Sequence, residues 1–202
     1  MNLESLKYIC VEGPIGVGKT TLVKKLAERL QFQVLLEEPE KNIFLKDFYS
    51  DPKGYRLKVQ LAFLLERCKH LAFLSKRGRE ATGIISDFGF FKDIIFSELN
   101  LDARERDLYL ELRSMLIGQA PSPDLVIYLE GSDTSLSKRI NNRGADFEVS
   151  MTDGYVFRLA ARYQTFFEEY NSSPVVRINT DELNLANCVS DLELVIERIR
   201  NS

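Results

Sequence analysis

The chain has 202 residues, with 27 Lys and Arg against 30 Asp and Glu, for a formal net charge of -3. That length suits one domain with a substantial core, read here as residues 1–202, and the mildly acidic balance argues against duplex binding, which draws its affinity from cations on phosphates. The opening MNLESLK lacks the apolar stretch of a signal peptide, and no later run approaches the roughly 18 apolar residues of a membrane span, so a cytoplasmic protein without membrane or nucleic-acid partners is expected.

Cys10, Cys68 and Cys188 are odd in number and widely spaced, so they read as small apolar residues rather than a disulfide framework. His70 has no second candidate ligand near it, and any general base therefore has to be a carboxylate.

The first element is an apolar run, Tyr8 to Val11, of the kind that forms a buried parallel strand. After it, Gly13, Pro14, Ile15, Gly16, Val17, Gly18, Lys19 and Thr20 fit G-x-x-x-x-G-K-[ST], the P-loop pattern. A backbone that wraps a polyphosphate has to turn its N–H groups inward, which the three glycines permit. The following helix, starting near Gly18, adds its positive end; Lys19 sets an ammonium against the β and γ oxygens, Thr20 offers a hydroxyl to Mg²⁺, and Thr21 is the last residue of the expected nucleotide-binding stretch. The glycine spacing does not give the G-x-G-x-x-G of a dinucleotide site.

Leu22, Leu26 and Leu30 place a helix over residues 21–30, and Gln33 to Glu37 reads as a second strand closed by Pro39. A long helix is expected from Tyr55 to Lys76, with Leu57, Leu61, Leu64, Cys68 and Leu71 as its core stripe and Gln60, Phe63 and Arg67 on another face. Gly83 to Asp87 reads as the third strand. Helices follow over Lys92 to Leu101 and Ala103 to Gly118, where Leu108, Leu112, Met115 and Leu116 form a stripe that suits a core or, less commonly, a dimer face.

Leu125 to Leu129 is the most strand-like segment, followed by a helix from a Ser132 or Asp133 cap to Arg143, ended by Gly144. An aromatic-rich helix, Tyr155 to Tyr170, a fifth strand, Val175 to Ile178, and a closing helix, Asn187 to Arg200, complete the chain. This alternation predicts an α/β fold with a parallel sheet covered on both faces. Ligands then gather at the carboxyl ends of the strands, where the P-loop, Glu38, Asp87 and the Asn179 to Glu182 stretch meet.

Singly these groups are ambiguous. Glu38 suits a solvated loop acid or a site carboxylate, and Asp87 suits a helix cap or a site acid. Arg139 and Arg143, at i and i+4 on one helix face, suit solvent or a clamp on a transferred phosphoryl.

The whole pattern resembles the deoxynucleoside kinases, especially the bacterial deoxyadenosine/deoxyguanosine kinase branch. The residues that carry it are GPIGVGKT, EEP, Tyr49 eleven residues before Gln60, Arg67, SDFGFFKDIIFSELNL, PDLVIYL, RINNRG and FFEEY. The resemblance implies a three-layer P-loop kinase fold with a five-stranded parallel sheet and an arginine-bearing lid over about residues 139–153. It implies transfer of a phosphoryl from ATP or another NTP, with Mg²⁺, to the 5′-hydroxyl of a deoxynucleoside, and a homodimer through long helices.

By the same resemblance Glu38 accepts the 5′-hydroxyl proton, Tyr49 and Glu148 bind the 3′-hydroxyl, and Gln60 reads the base edge beside Phe63 and Arg67. Arg139 and Arg143 close over the donor phosphates, Asp87 serves the Mg²⁺ shell, and the donor base rests near Thr180, Asp181, Glu182 and Leu183. The chain departs from the family pattern where an acid-Arg-Ser triplet is common: it has Asp87, Phe88 and Gly89, without the arginine that would steady the base. Ala145 replaces a third lid arginine, and the segment from Phe90 to Phe96 is one residue shorter, which leaves Lys92 or Asp93 to face the base, with Asp93 the preferred partner of Arg67.

Two other readings fit the P-loop. A nucleoside monophosphate kinase such as thymidylate kinase shares the sheet, but its acceptor phosphate would be repelled by a carboxylate poised beside it. A non-catalytic nucleotide-binding subunit of the same fold would bind without turnover.

Overall fold

The computed structural model describes residues 2–76 and 82–201. In chain order it runs β1 (Tyr8–Glu12), α1 (Lys19–Leu30), β2 (Gln33–Leu35), α2 (Leu45–Ser50), α3 (Pro52–Lys76), β3 (Ile84–Ser86), α4 (Lys92–Asn100), α5 (Ala103–Ile117), β4 (Leu125–Glu130), α6 (Asp133–Arg143), α7 (Asp153–Glu169), β5 (Val175–Asn179) and α8 (Val189–Arg200). Short 3₁₀ turns lie at Leu3–Ser5, Pro39–Lys41 and Asp146–Glu148. Every predicted strand and helix is present. The short helix α2 has no counterpart in the sequence reading, and β2 stops at Leu35 rather than reaching Glu37.

The five strands form one parallel sheet in the order β2-β3-β1-β4-β5, with Ile9 beside Ile85 on one side and Leu125 on the other. Strands covered on both faces lose the polar alternation of a half-buried strand, and β1 is buried at all five positions. Successive residues still point to opposite faces. Ile9, Val11, Leu125 and Ile127 pack toward Leu22, Leu26, Val195 and Ile199 of α1 and α8. Tyr8, Cys10, Val126 and Tyr128 pack toward Val59 and Leu64 of α3, Ile95 of α4 and Tyr163 of α7.

Local signals set the helix ends. The Asp102 side chain accepts from the Glu105 N–H while Glu105 returns the bond, a capping box at the start of α5. Ser132 caps α6, and Gly144 closes it in the left-handed region at φ 59°.

One expectation about the core is corrected. Of the α5 stripe, Leu112 packs against the core, but Leu108, Met115 and Leu116 are 50%, 72% and 47% exposed, and Leu65 of the neighbouring α3 is also exposed at 59%. The fully buried residues of α5 are Tyr109 and Ile117.

Candidate active site

The switch in strand order places the carboxyl ends of β1, β2 and β3 together, and the loops leaving them build the site. The loop after β1 is the P-loop. At Gly13, φ is +147° and a Cβ would come within 2.3 Å of the Leu129 carbonyl oxygen, so only glycine lets the loop pass β4. At Gly16, φ is +84° and a Cβ would meet the Leu136 carbonyl oxygen at 2.9 Å. The P-loop is therefore seated directly on β4 and α6. Lys19 Nζ donates to the Gly13 and Pro14 carbonyls at 2.8 and 2.9 Å, which keeps the ammonium inside the cradle.

Beneath the loop lies Glu12, wholly buried, whose carboxylate accepts from the N–H of Gly13 (3.1 Å), the N–H of Gly89 (2.7 Å) and the Tyr163 hydroxyl (2.9 Å). Burial pushes the Glu12 carboxyl above its ordinary range, against the pull of Lys92 and Lys19 and of the two N–H groups. Nothing in the sequence singles this residue out, because it closes an apolar strand.

Thr20 and Asp87 meet as expected: the Thr20 hydroxyl donates to Asp87 Oδ2 at 2.6 Å. Burial raises the Asp87 carboxyl, with the Thr20 and Glu37 hydrogen bonds opposing it. Two hard oxygens from different elements suit Mg²⁺, which keeps waters and phosphate oxygens for the rest of its shell. Among the described residues no group of three or more His, Cys, Asp or Glu side chains is placed to hold a metal ion.

From the P-loop a cavity runs inward between α2, α3, α4 and α7, lined by Lys19, Tyr49, Gln60, Phe63, Arg67 and Glu148 among others. Gln60 is 2% exposed and Arg67 3% exposed, both turned from the α3 core stripe into the cavity. Arg67 pairs with Asp93, as preferred from the sequence, and its guanidinium lies 5.7 Å from the Phe63 ring. Asp93 is completely buried and also accepts from the Tyr109 hydroxyl at 2.8 Å. Tyr49 packs edge-on against Tyr155 at 5.7 Å between ring centres. Glu148 is buried and pairs with Arg143, whose Nε lies 3.1 Å from Oε2. Of the two residues expected to face the base, Lys92 lines this cavity and Asp93 does not; Phe96, Asn100, Phe147 and Tyr155 also line it and were not foreseen as its walls.

The carboxylate between cradle and cavity is Glu37, and this corrects the choice of Glu38. Glu38 turns outward, pairs with Lys41 at 2.6 Å and leaves 42% of its side chain exposed. Glu37 leaves only 11% exposed; its Oε1 accepts from Arg67 at 2.5 Å and its Oε2 from Lys92 at 2.6 Å. Its backbone N–H donates to Asp87 Oδ1 at 2.8 Å. Burial works against its charge, but Lys92 and Arg67 outweigh that and hold the carboxyl down at about 2. Glu37 is therefore an anion fixed at both oxygens.

Arg139 and Arg143 share the α6 face but not a setting. Arg139 donates to the Thr180 hydroxyl at 2.8 Å and the Thr180 carbonyl at 2.5 Å, with longer contacts to the Val17 and Leu183 carbonyls at 3.5 Å. It ties the P-loop to the segment after β5 rather than standing free over it. Arg143, with 49% of its side chain exposed, borders both the inner cavity and the outer cleft along the P-loop. Thr21, Thr180 and Leu183 line that cleft, which continues to Asn187. Asp181 is turned aside, accepting from the Ser132 N–H at 2.8 Å and the Ser132 hydroxyl at 3.0 Å, and Glu182 is exposed.

Residues 9–202 match the family model described as deoxynucleoside kinase. The deoxyadenosine/deoxycytidine kinase of Bacillus subtilis (strain 168) is 31% identical, covering 95% of this chain and 90% of that protein. The deoxyguanosine kinase of the same organism is 28% identical over 98% of both chains. Among solved structures, deoxyadenosine kinase from M. mycoides with bound dATP superposes with a TM-score of 0.82 at 26% identity, covering 97% of this chain and 100% of that one.

Proposed function

The chain belongs to the deoxynucleoside kinase family, phosphotransferases with an alcohol acceptor, and from that premise we propose that it moves the γ-phosphoryl of ATP, or another NTP, to the 5′-hydroxyl of a purine deoxynucleoside in cytosolic salvage. The observation that carries this reading is Glu37, held between Lys19 of the phosphate cradle and the Gln60 and Arg67 end of the cavity. A phosphoryl acceptor seated there has its sugar at the carboxylate and its base at the amide. An amide offers both donor and acceptor, so Gln60 suits a purine edge.

Phosphoryl transfer depends mainly on positioning and on neutralising charge. Glu37 aims the 5′-hydroxyl and accepts its hydrogen bond; being held strongly acidic, it orients the nucleophile rather than taking the proton early. Tyr49 and Glu148 bound the far side of the sugar. Lys19 and Arg143 meet charge on the transferred group. Residues 139–153 act as the lid that keeps water from ATP, Arg143 being its contact with the phosphates. Thr20 and Asp87 would hold Mg²⁺, which would supply charge neutralisation for the phosphates.

The outward apolar residues Leu65, Leu108, Met115 and Leu116 support a homodimer formed across α3 and α5. The catalytic reading is tested by supplying labelled ATP and each of the four natural deoxynucleosides. Monophosphates of deoxyadenosine and deoxyguanosine are the expected products. Transfer to a nucleoside monophosphate, with none to any deoxynucleoside, would overturn it.

A further inference from the structure

Lys92 opens α4 and is 7% exposed, yet it ends in a charged group inside the cavity wall. Buried lysines are rare unless paired, and a buried ion pair can often be replaced by packed apolar side chains without loss of stability. The Lys92 ammonium also draws on the buried Glu12 carboxylate, but its hydrogen bond goes to Glu37. What an apolar pair cannot do is hold a carboxylate in one orientation. Resting on the reading that Glu37 receives the sugar hydroxyl, we propose that Lys92 is the positioning residue that fixes the Glu37 carboxylate for transfer.

The geometry supports a division of labour between the two cations on Glu37. Arg67 takes Oε1 and Lys92 takes Oε2, so the carboxylate plane is pinned at both ends by charge-assisted hydrogen bonds. A carboxylate has about four lone-pair sites, and two bonds leave acceptor capacity for a hydroxyl arriving from the cavity. Arg67 is committed on its other side to Asp93, itself held by Tyr109 and lying 3.6 Å from Arg113. Its position is thus set by the base end of the site. Lys92 reaches Glu37 from α4, where the next residue, Asp93, holds Arg67, so α3 and α4 grip the carboxylate together. The residues between β3 and α4 supply no cation that could replace it. Phe88 is wholly buried against His70 and Phe90, and Gly89 gives its N–H to Glu12.

The test is steady-state kinetics on the full chain with ATP, Mg²⁺ and a deoxynucleoside that the wild type phosphorylates, using Lys92→Met, Lys92→Arg, Glu37→Gln and the double variant Glu37→Gln/Lys92→Met. Misplacing a reacting group by about 1 Å costs on the order of 10²-fold, so Lys92→Met should lower kcat by roughly 10- to 100-fold with the deoxynucleoside KM within about threefold. Lys92→Arg, which keeps the charge, should recover most of that loss. A residue acting through Glu37 adds nothing once Glu37 is neutral, so the double variant should be within about twofold of Glu37→Gln.

A Lys92→Met kcat within twofold of wild type, a loss confined to KM, or a double variant showing the product of both single losses would overturn the inference. Should Lys92→Met not fold, Lys92→Gln replaces it in the same cycle with the same criteria. If Glu37→Gln itself turned over normally, the assignment of Glu37 would fall; a crippled Glu37→Gln beside an unaffected Lys92→Met rejects only the role of Lys92.

Discussion

The Thr20 hydroxyl and Asp87 Oδ2 are 2.6 Å apart, one at the start of α1 and the other just past β3. The contact joins the P-loop to the neighbouring strand, and the second oxygen of Asp87 accepts the Glu37 N–H at 2.8 Å. The P-loop helix and the Glu37 backbone thus share one side chain. Asp87→Asn keeps the shape but removes the charge that a hard cation needs. Turnover at saturating ATP should fall roughly 10²-fold, with the Mg²⁺ concentration for half-maximal rate rising severalfold. A rate titration against Mg²⁺ reads both, and an unaltered titration curve would remove Asp87 from the metal shell.

Adjacent glutamates give a sharper comparison. Glu37→Gln should reduce kcat by roughly 10²-fold or more while deoxynucleoside affinity is largely kept, because the lost contact orients the nucleophile. Glu38→Gln breaks only a surface ion pair with Lys41, and such pairs contribute about 0–1 kcal/mol, so its kinetics should match wild type. Measuring both variants side by side decides between the two carboxylates; a larger loss at Glu38 would reverse the assignment.

The choice between those two residues also marks where the sequence stops being informative. G-x-x-x-x-G-K-T announced the cradle because its chemistry demands fixed residue types, and helical spacing alone turned Gln60 and Arg67 away from the α3 core stripe. Which glutamate faces inward was not legible, because β2 ends at Leu35 and the two-residue alternation ends with it. Glu37 is drawn inward by Arg67 and Lys92, 30 and 55 positions away in the chain.

Arg139 and Arg143 pose the same difficulty in another form. Spacing by four puts both on one face of α6, but says nothing of Thr180, the β5 exit residue that captures Arg139. On α5, an apolar stripe signals burial without saying whether the burying partner is the same chain or a second copy.

That stripe leads to a prediction about assembly. Leu108, Met115 and Leu116 on α5 and Leu65 on the adjacent α3 are all about half exposed or more, a cluster that a stable monomer would be expected to cover. Met115→Glu places a charge in the middle of it. The wild-type chain should sediment as a dimer and the variant as a monomer, or as a dimer weakened by at least about tenfold in Kd. A wild-type chain that remains monomeric at tens of micromolar would rule out this face as a stable interface.

Stability at acid pH offers a test of Glu37 that does not involve turnover. Its folded-state value of about 2 lies below the 4.5 of an unperturbed glutamate, so the native state holds the carboxylate charged more firmly than the unfolded chain does. The sign follows: the stabilisation is fully present above about pH 4.5 and is lost as pH falls through about 2. A difference of two to three pKa units corresponds to about 3 kcal/mol, an order-of-magnitude figure for a buried carboxylate flanked by two cations. Glu37→Gln has no such proton to take up, so its denaturant midpoint should decline less steeply than the wild type's between pH 4.5 and pH 2. Urea titrations in metal-free buffer across that window, with identical slopes for the two proteins, would show that the Arg67 and Lys92 contacts leave Glu37 with an ordinary acidity.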